Sequence, residues 1–209
     1  MIKILIIDDQ VIFREGIKKV MSTESDIRVA DEVGKGEKVL PLLAKHRYDV
    51  VLLDLSLPDM DGFDVLQATK KKCPELPVLV LSFFPEEQYA LRSLKEGAAG
   101  YLTKEIVPND LIHAIRKVVA GGKYISIRLA ESLADSLTKK TKRYPHDTLS
   151  AREFQIFKMI AAGKSVKEMS SELSLARTTV SSYRSRIFEK LKFKTNADLI
   201  RYAVENQMY

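Results

Sequence analysis

The chain has 209 residues, 45% of them apolar and 30% charged, with a formal net charge of +6. That balance belongs to a globular chain and excludes the disordered, collagen-like and membrane-spanning classes. The longest apolar stretch, Leu76 to Phe84, is broken by Pro77 and Ser82 and falls well short of the ~20 residues of a spanning helix.

Five short β-rich apolar runs recur in the first half, at Lys3–Ile7, Ile27–Val33, Val50–Leu53, Val78–Leu81 and Gly100–Leu102. Helical patterns separate them: Phe13, Ile17, Val20 and Met21 share one face, as do Leu111, Ile115 and Val118. Pro85 and Pro108 stand where the fourth and fifth helices should begin, positions that tolerate a missing N–H. Strands alternating with helices predict an α/β fold, a doubly wound, five-stranded parallel sheet covered on both faces. From Arg128 onward a modest amphipathic stretch (Leu129, Leu133, Leu137) leads into the polar run Thr138–Pro145, which we read as a helix and then a linker.

Four short helices are expected from Leu149, forming a small all-α domain. Ser150-Ala151-Arg152-Glu153 and Ser165-Val166-Lys167-Glu168 are capping boxes, Gly163 marks a helix stop, and Thr195 can cap the last helix. The expected organisation is residues 1–123, a connecting segment 124–148, and residues 149–209. Charge divides along the same line. Residues 1–123 carry 18 Lys/Arg against 19 Asp/Glu, a net of −1, whereas residues 124–209 carry 16 against 9, a net of +7. The second half is therefore expected to meet a polyanion.

Ligands of such sheets gather at the carboxyl ends of the strands. Asp8-Asp9, Asp54, Ser82 and Lys104 all fall there. Crowded carboxylates repel, and a hard divalent ion resolves the repulsion; Mg²⁺ takes one or two carboxylates plus phosphate oxygens. One carboxylate can then act as nucleophile toward phosphorus, with Lys104 offsetting charge on the phosphoryl oxygens.

These residues, Asp8-Asp9, Asp54-Leu55-Ser56-Leu57-Pro58-Asp59-Met60-Asp61-Gly62, Ser82 and Tyr101-Leu102-Thr103-Lys104, resemble the flavodoxin-like receiver domain of bacterial two-component response regulators. The resemblance implies that Asp54 is the phosphoacceptor, that Asp8, Asp9, Asp54 and the Ser56 carbonyl hold Mg²⁺, and that Lys104 contacts the phosphoryl group. It also implies that Ser82 and Tyr101 form a switch pair, Tyr101 turning inward as Ser82 moves. Phe83 and Phe84 stand where the family more often has small or polar residues, and bulk at Phe84 is expected to slow water reaching the acyl phosphate.

In the second half, the third helix, about Ala176 to Lys190, matters most. With Val180, Ile187 and Leu191 inward, Thr178, Ser181, Ser182, Ser185 and Arg186 face outward, flanked by Arg177 and Arg184 and followed by Lys190. Small polar side chains framed by arginines suit major-groove docking. Together with Leu173-Ser174 and Lys190-Leu191, this half resembles the helix-turn-helix output domain of the NarL/FixJ (LuxR-type) regulators. Many members have Lys and His where Ser181 and Tyr183 stand, so base preference does not transfer. The resemblance suggests that the fourth helix, through Leu199 and Tyr202, pairs with its twin on DNA. Ala176 lacks the usual capping hydroxyl, an omission worth ~1 kcal/mol.

The implied protein is a phosphorylation-controlled transcription factor, with a sensor histidine kinase, DNA and a second copy as partners and RNA polymerase as a further candidate. A cytoplasmic location is expected, because the first residues lack a signal-peptide pattern and Cys73 is the one cysteine. An aspartyl phosphatase is the rival, but Asp54-Leu55-Ser56 lacks its second acid. A nucleotide-binding reading lacks a phosphate loop, and a DNA-binding protein with a vestigial receiver is disfavoured by the full set of site residues. His46, His113 and His146 are too scattered for a zinc site.

Overall fold

The computed structural model describes residues 1–126, 129–131, 145–173, 175–206 and 208. The chain forms two compact units, Met1–Thr141 and Lys142–Tyr209.

The first unit holds five parallel strands, β1 (Ile2–Ile7), β2 (Ile27–Val33), β3 (Val50–Leu53), β4 (Val78–Ser82) and β5 (Gly100–Thr103), in the order β2-β1-β3-β4-β5. Five helices connect and follow them: α1 (Val11–Met21), α2 (Val39–Lys45), α3 (Gly62–Lys72), α4 (Glu86–Lys95) and α5 (Pro108–Val119). The central strands β3 and β4 are buried at every position, as strands covered on both faces must be, which explains their unbroken apolar sequence. Ile17 and Met21 of α1 and Leu111, Ile115 and Val118 of α5 pack in one core with Ile4, Ile6, Leu52 and Leu79. Pro85 caps α4 and Pro108 opens α5, as expected.

The first unit continues past residue 123. Tyr124 bridges to Gly100 of β5, its N–H donating to the Ala99 carbonyl at 2.9 Å, and Leu129 is buried. The expected helix through Leu133 and Leu137 and the run Thr138–Tyr144 lie outside the described residues.

The second unit contains α6 (Ala151–Ala161), α7 (Val166–Glu172), α8 (Arg177–Leu191) and α9 (Asn196–Glu205). Local sequence dictates where each begins. Ser150 and Glu153, Ser165 and Glu168, and Thr195 and Asp198 close reciprocal capping boxes, whereas Ala176 offers α8 no side-chain cap. Gly163 ends the first of these helices at φ +79°, a conformation that favours glycine. The core joins Phe154, Phe157, Ile160, Met169, Val180, Ile187, Leu191 and Leu199. No helix among the described residues is long and apolar enough to cross a membrane.

Candidate functional site

Parallel register brings the strand ends to one edge, so residues far apart in sequence meet there. Ligand oxygens of Asp8, Asp9 and Asp54 lie within 4.8 Å of one another. The Lys104 ammonium, from the residue after β5, sits among them with Nζ 2.6 Å from Asp8 Oδ2 and 2.8 Å from Asp54 Oδ2. Asp8, Asp54 and Lys104 are all buried. The backbone fixes the acids further: Gln10 N–H donates to Asp8 Oδ1 at 2.8 Å, and Ser56 N–H donates to Asp54 Oδ1 at 3.0 Å. Arg14 Nη1 donates to the Asp8 carbonyl at 2.6 Å, a tie that the sequence did not single out.

Burial pushes the Asp8 carboxyl up to about 6; the Lys104 charge opposes this and the Asp54 charge adds to it. One ammonium is set against three carboxylates. The donor set is hard oxygen and anionic, and it suits Mg²⁺ better than a softer metal. Gly62 starts α3 with its N–H donating to the Leu55 carbonyl; a Cβ there would sit 2.4 Å from Leu55 Cα, so only glycine lets the helix approach the loop that follows Asp54. Asp59 accepts from the N–H groups of Gly36 and Glu37 at 3.0 and 2.9 Å and pins that loop.

Ser82 and Tyr101 both bond the backbone of Phe84, at the two peptide groups that flank its Cα. The Phe84 N–H donates to Ser82 Oγ at 3.3 Å, and the Phe84 carbonyl accepts from the Tyr101 hydroxyl at 2.8 Å. Tyr101 is fully buried, its ring already inward. The Phe84 ring packs against Tyr89 of α4, tilted by 31° with centroids 4.8 Å apart, and Tyr89 stacks on Phe63 of α3. This corrects the expectation for Phe84: its side chain is packed inward, while Phe83 is 61% exposed with its ring centroid 5.1 Å from Lys104 Nζ. The chain bends at both residues after β4, and the inward place went to Phe84.

In the second unit, Arg177, Thr178, Ser181, Ser182, Ser185 and Arg186 are exposed on α8, as expected. Ser182 and Ser185 donate their hydroxyls to the carbonyls of Thr178 and Ser181. Arg184 is half-buried and donates to Asn196 Oδ1 at 3.1 Å, bracing α8 against the start of α9. Ser174 lies outside the described residues.

Two residues of this unit are placed otherwise than expected. Lys190 is exposed on α8 but paired, its ammonium 2.6 Å from Glu153 Oε2, whose side chain is 3% exposed. A buried carboxylate demands a partner, and Lys190, one turn after Ile187, is near enough to the inward stripe to supply it. Leu199 is not a dimer contact, since it is wholly buried in its own unit. Tyr202 is half-buried, with its hydroxyl 2.7 Å from His146 Nδ1. The exposed apolar pair on α9 is instead Ile200 and Val204.

Comparison with known proteins matches both units. Residues 4–116 match the family described as "Response regulator receiver domain", and residues 147–203 match "Bacterial regulatory proteins, luxR family". The response regulator GacA of Pseudomonas aeruginosa is 36% identical over 209 residues, covering 100% of this chain and 98% of that protein. A structure of the RcsB response regulator of Salmonella typhimurium is 25% identical, with a TM-score of 0.58 over 98% of this chain and 100% of that one. A structure of two RcsB dimers bound to two parallel DNAs is also 25% identical, with a TM-score of 0.60 over 97% and 98% of the two chains. With the receiver family matched over more than half its length and a curated relative this similar end to end, the chain belongs to the NarL/FixJ-type two-component response regulators, a receiver domain joined to a luxR-type helix-turn-helix domain that regulates transcription.

Proposed function

We propose that a sensor histidine kinase phosphorylates this protein on Asp54 and thereby controls its pairing and its binding to specific DNA, in the cytoplasm where both partners are found. The observation that carries this reading is the triad of carboxylates around one buried ammonium at the strand ends. In the transfer, an Asp54 carboxylate oxygen bonds to phosphorus, the P–N bond to the kinase histidine breaks, and the imidazole leaves with the electron pair. Asp8, Asp9, Asp54 and the Ser56 carbonyl would hold Mg²⁺, which when bound offsets charge on the phosphoryl oxygens. Lys104 contributes a second positive charge from a dry position, where it acts strongly.

Phosphorylation places about −2 of charge beside Ser82. Its hydroxyl can turn to donate to a phosphoryl oxygen, which withdraws the acceptor from the Phe84 N–H. The Phe84 carbonyl also holds the Tyr101 hydroxyl, and the Phe84 ring leans on α4, so the event reaches the α4 and β5 surface. For the output unit, Arg177, Arg184 and Arg186 supply phosphate contacts, while Thr178, Ser181, Ser182 and Ser185 face the bases. Twin units would meet on DNA through Ile200 and Val204 rather than Leu199; the likeness to RcsB dimers on DNA supports a paired arrangement. RNA polymerase is a further partner on this reading.

The test is incubation with phosphoramidate and Mg²⁺, followed by measurement of acid-labile phosphate and of binding to operator-length DNA. Wild type should acquire the phosphoryl group and bind DNA more tightly, and Asp54→Ala should do neither. Equal labelling of Asp54→Ala would sink the assignment.

A further inference from the structure

We propose that Phe83 is a positioning residue that roofs the Lys104 ammonium and, once Asp54 carries a phosphoryl group, shields that group from hydrolysis. The inference rests on Asp54 being the phosphoacceptor. Phe83 stands out because nothing in the packing of the fold calls for it: its ring is 61% exposed on the loop after β4, where apolar surface gains no burial. Its neighbour Phe84 does the packing, against Tyr89.

What the Phe83 ring does face is a cation. Its centroid is 5.1 Å from Lys104 Nζ, and that of Phe13 on α1 is 4.6 Å from the same atom, both within cation–π reach. Asp8 and Asp54 take the ammonium on its other sides. Phe13, Phe83 and Lys104 line one cavity of about 390 Å³ with Ile17, Ile106 and Leu111, so the rings around the ammonium continue into an apolar wall. Two rings and two acids account for the complete burial of its side chain.

Excluding water here has a chemical consequence. Hydrolysis requires a water oxygen to bond to phosphorus while the bond from phosphorus to the Asp54 oxygen breaks. The electron pair returns to the carboxylate, and the water protons pass to orthophosphate and solvent. A ring over the mouth of the site lowers the local supply of water and keeps the ammonium in a low-dielectric setting, where it holds the phosphoryl oxygens more firmly. Two adjacent phenylalanines are alike in sequence; the distance from ring to ammonium is what singles out Phe83.

The experiment labels the full-length chain from phosphoramidate with Mg²⁺, removes the donor, and follows acid-labile phosphate with time for wild type, Phe83→Ala and Phe83→Tyr. Thermal melting confirms that each variant is folded; if Phe83→Ala is not, Phe83→Leu takes its place under the same criterion. Phe83→Ala should shorten the phosphoryl lifetime by about three- to tenfold, the scale of one cation–π contact, and Phe83→Tyr should restore it. In denaturant all lifetimes should coincide. A Phe83→Ala lifetime within about twofold of wild type overturns the proposal, as does a Phe83→Tyr lifetime as short as that of Phe83→Ala, or a gap that persists in denaturant. Failure of wild type to take up any phosphate overturns the phosphoacceptor reading beneath it, whereas normal uptake with equal lifetimes removes the shield alone.

Discussion

The receiver site and the recognition helix use charge in opposite ways. At the receiver site, Lys104 is sealed against Asp8 and Asp54, and its value lies in being dry. On α8, Arg177 and Arg186 stand in solvent, where a charge is cheap to hold and available to phosphates. Lys190 belongs by position to the second group and by function to the first, because it neutralises the buried Glu153 carboxylate. A basic residue near a binding face therefore gains no role from its charge alone; what decides is whether a buried acid already claims it.

Four measurements put this contrast at risk. The largest effect is expected at Lys104→Met, where loss of the buried ammonium should lower the rate of phosphoryl uptake from phosphoramidate by about 100-fold or more. A drop of less than tenfold would show that Lys104 only neutralises its neighbours. Next, Arg186→Ala should weaken DNA binding by about tenfold and reduce the salt dependence by about one counterion, seen in binding titrations at several ionic strengths. Lys190→Ala should leave that salt slope unchanged and instead destabilise the second unit by about 1–2 kcal/mol, less than a fully buried pair because the lysine side is 40% exposed. A changed slope with an unchanged melting temperature would return Lys190 to the DNA interface.

The smallest effect concerns pH. Asp8 lies at about 6 in the folded chain against an ordinary 3.8, mainly through burial. The folded state therefore keeps a proton that the unfolded chain has released. The stability this brings is full below about pH 4 and is lost as the pH rises through 6, the reverse of a salt-bridged acid. Mg²⁺ would take the proton's place, so added Mg²⁺ should raise the melting temperature more at pH 8 than at pH 5. An equal rise at both would show that Asp8 does not feel the ion.

Much of the fold and of the receiver site is legible in the amino-acid sequence alone. The five strands can be found because a sheet covered on both faces requires apolar runs, and β2 and β3 have the expected ends while the other three differ by a single residue at one end. The acids and Lys104 can be placed together because strand ends are where a parallel sheet collects its chemistry. The buried stripe Val180, Ile187 and Leu191 follows from helical spacing. What escapes is pairing between distant residues and the choice between adjacent ones. Lys190 and Glu153 are 37 positions apart, and no local pattern links them. Helix α9 carries apolar residues on two faces, Leu199 and Ala203 on one and Ile200 and Val204 on the other, so periodicity does not say which is core. Phe83 and Phe84 are chemically identical, and only the path of the loop separates them.

The backbone of Phe84, gripped by one hydroxyl at its nitrogen and another at its oxygen, limits how such a relay can be altered. The two grips fall on successive amide planes hinged at one α-carbon, so re-aiming either alcohol turns the pivot that the other helps to hold. A signal from a phosphoryl group would therefore travel along a covalent pivot, with the aromatic ring beyond it leaning on the neighbouring helix.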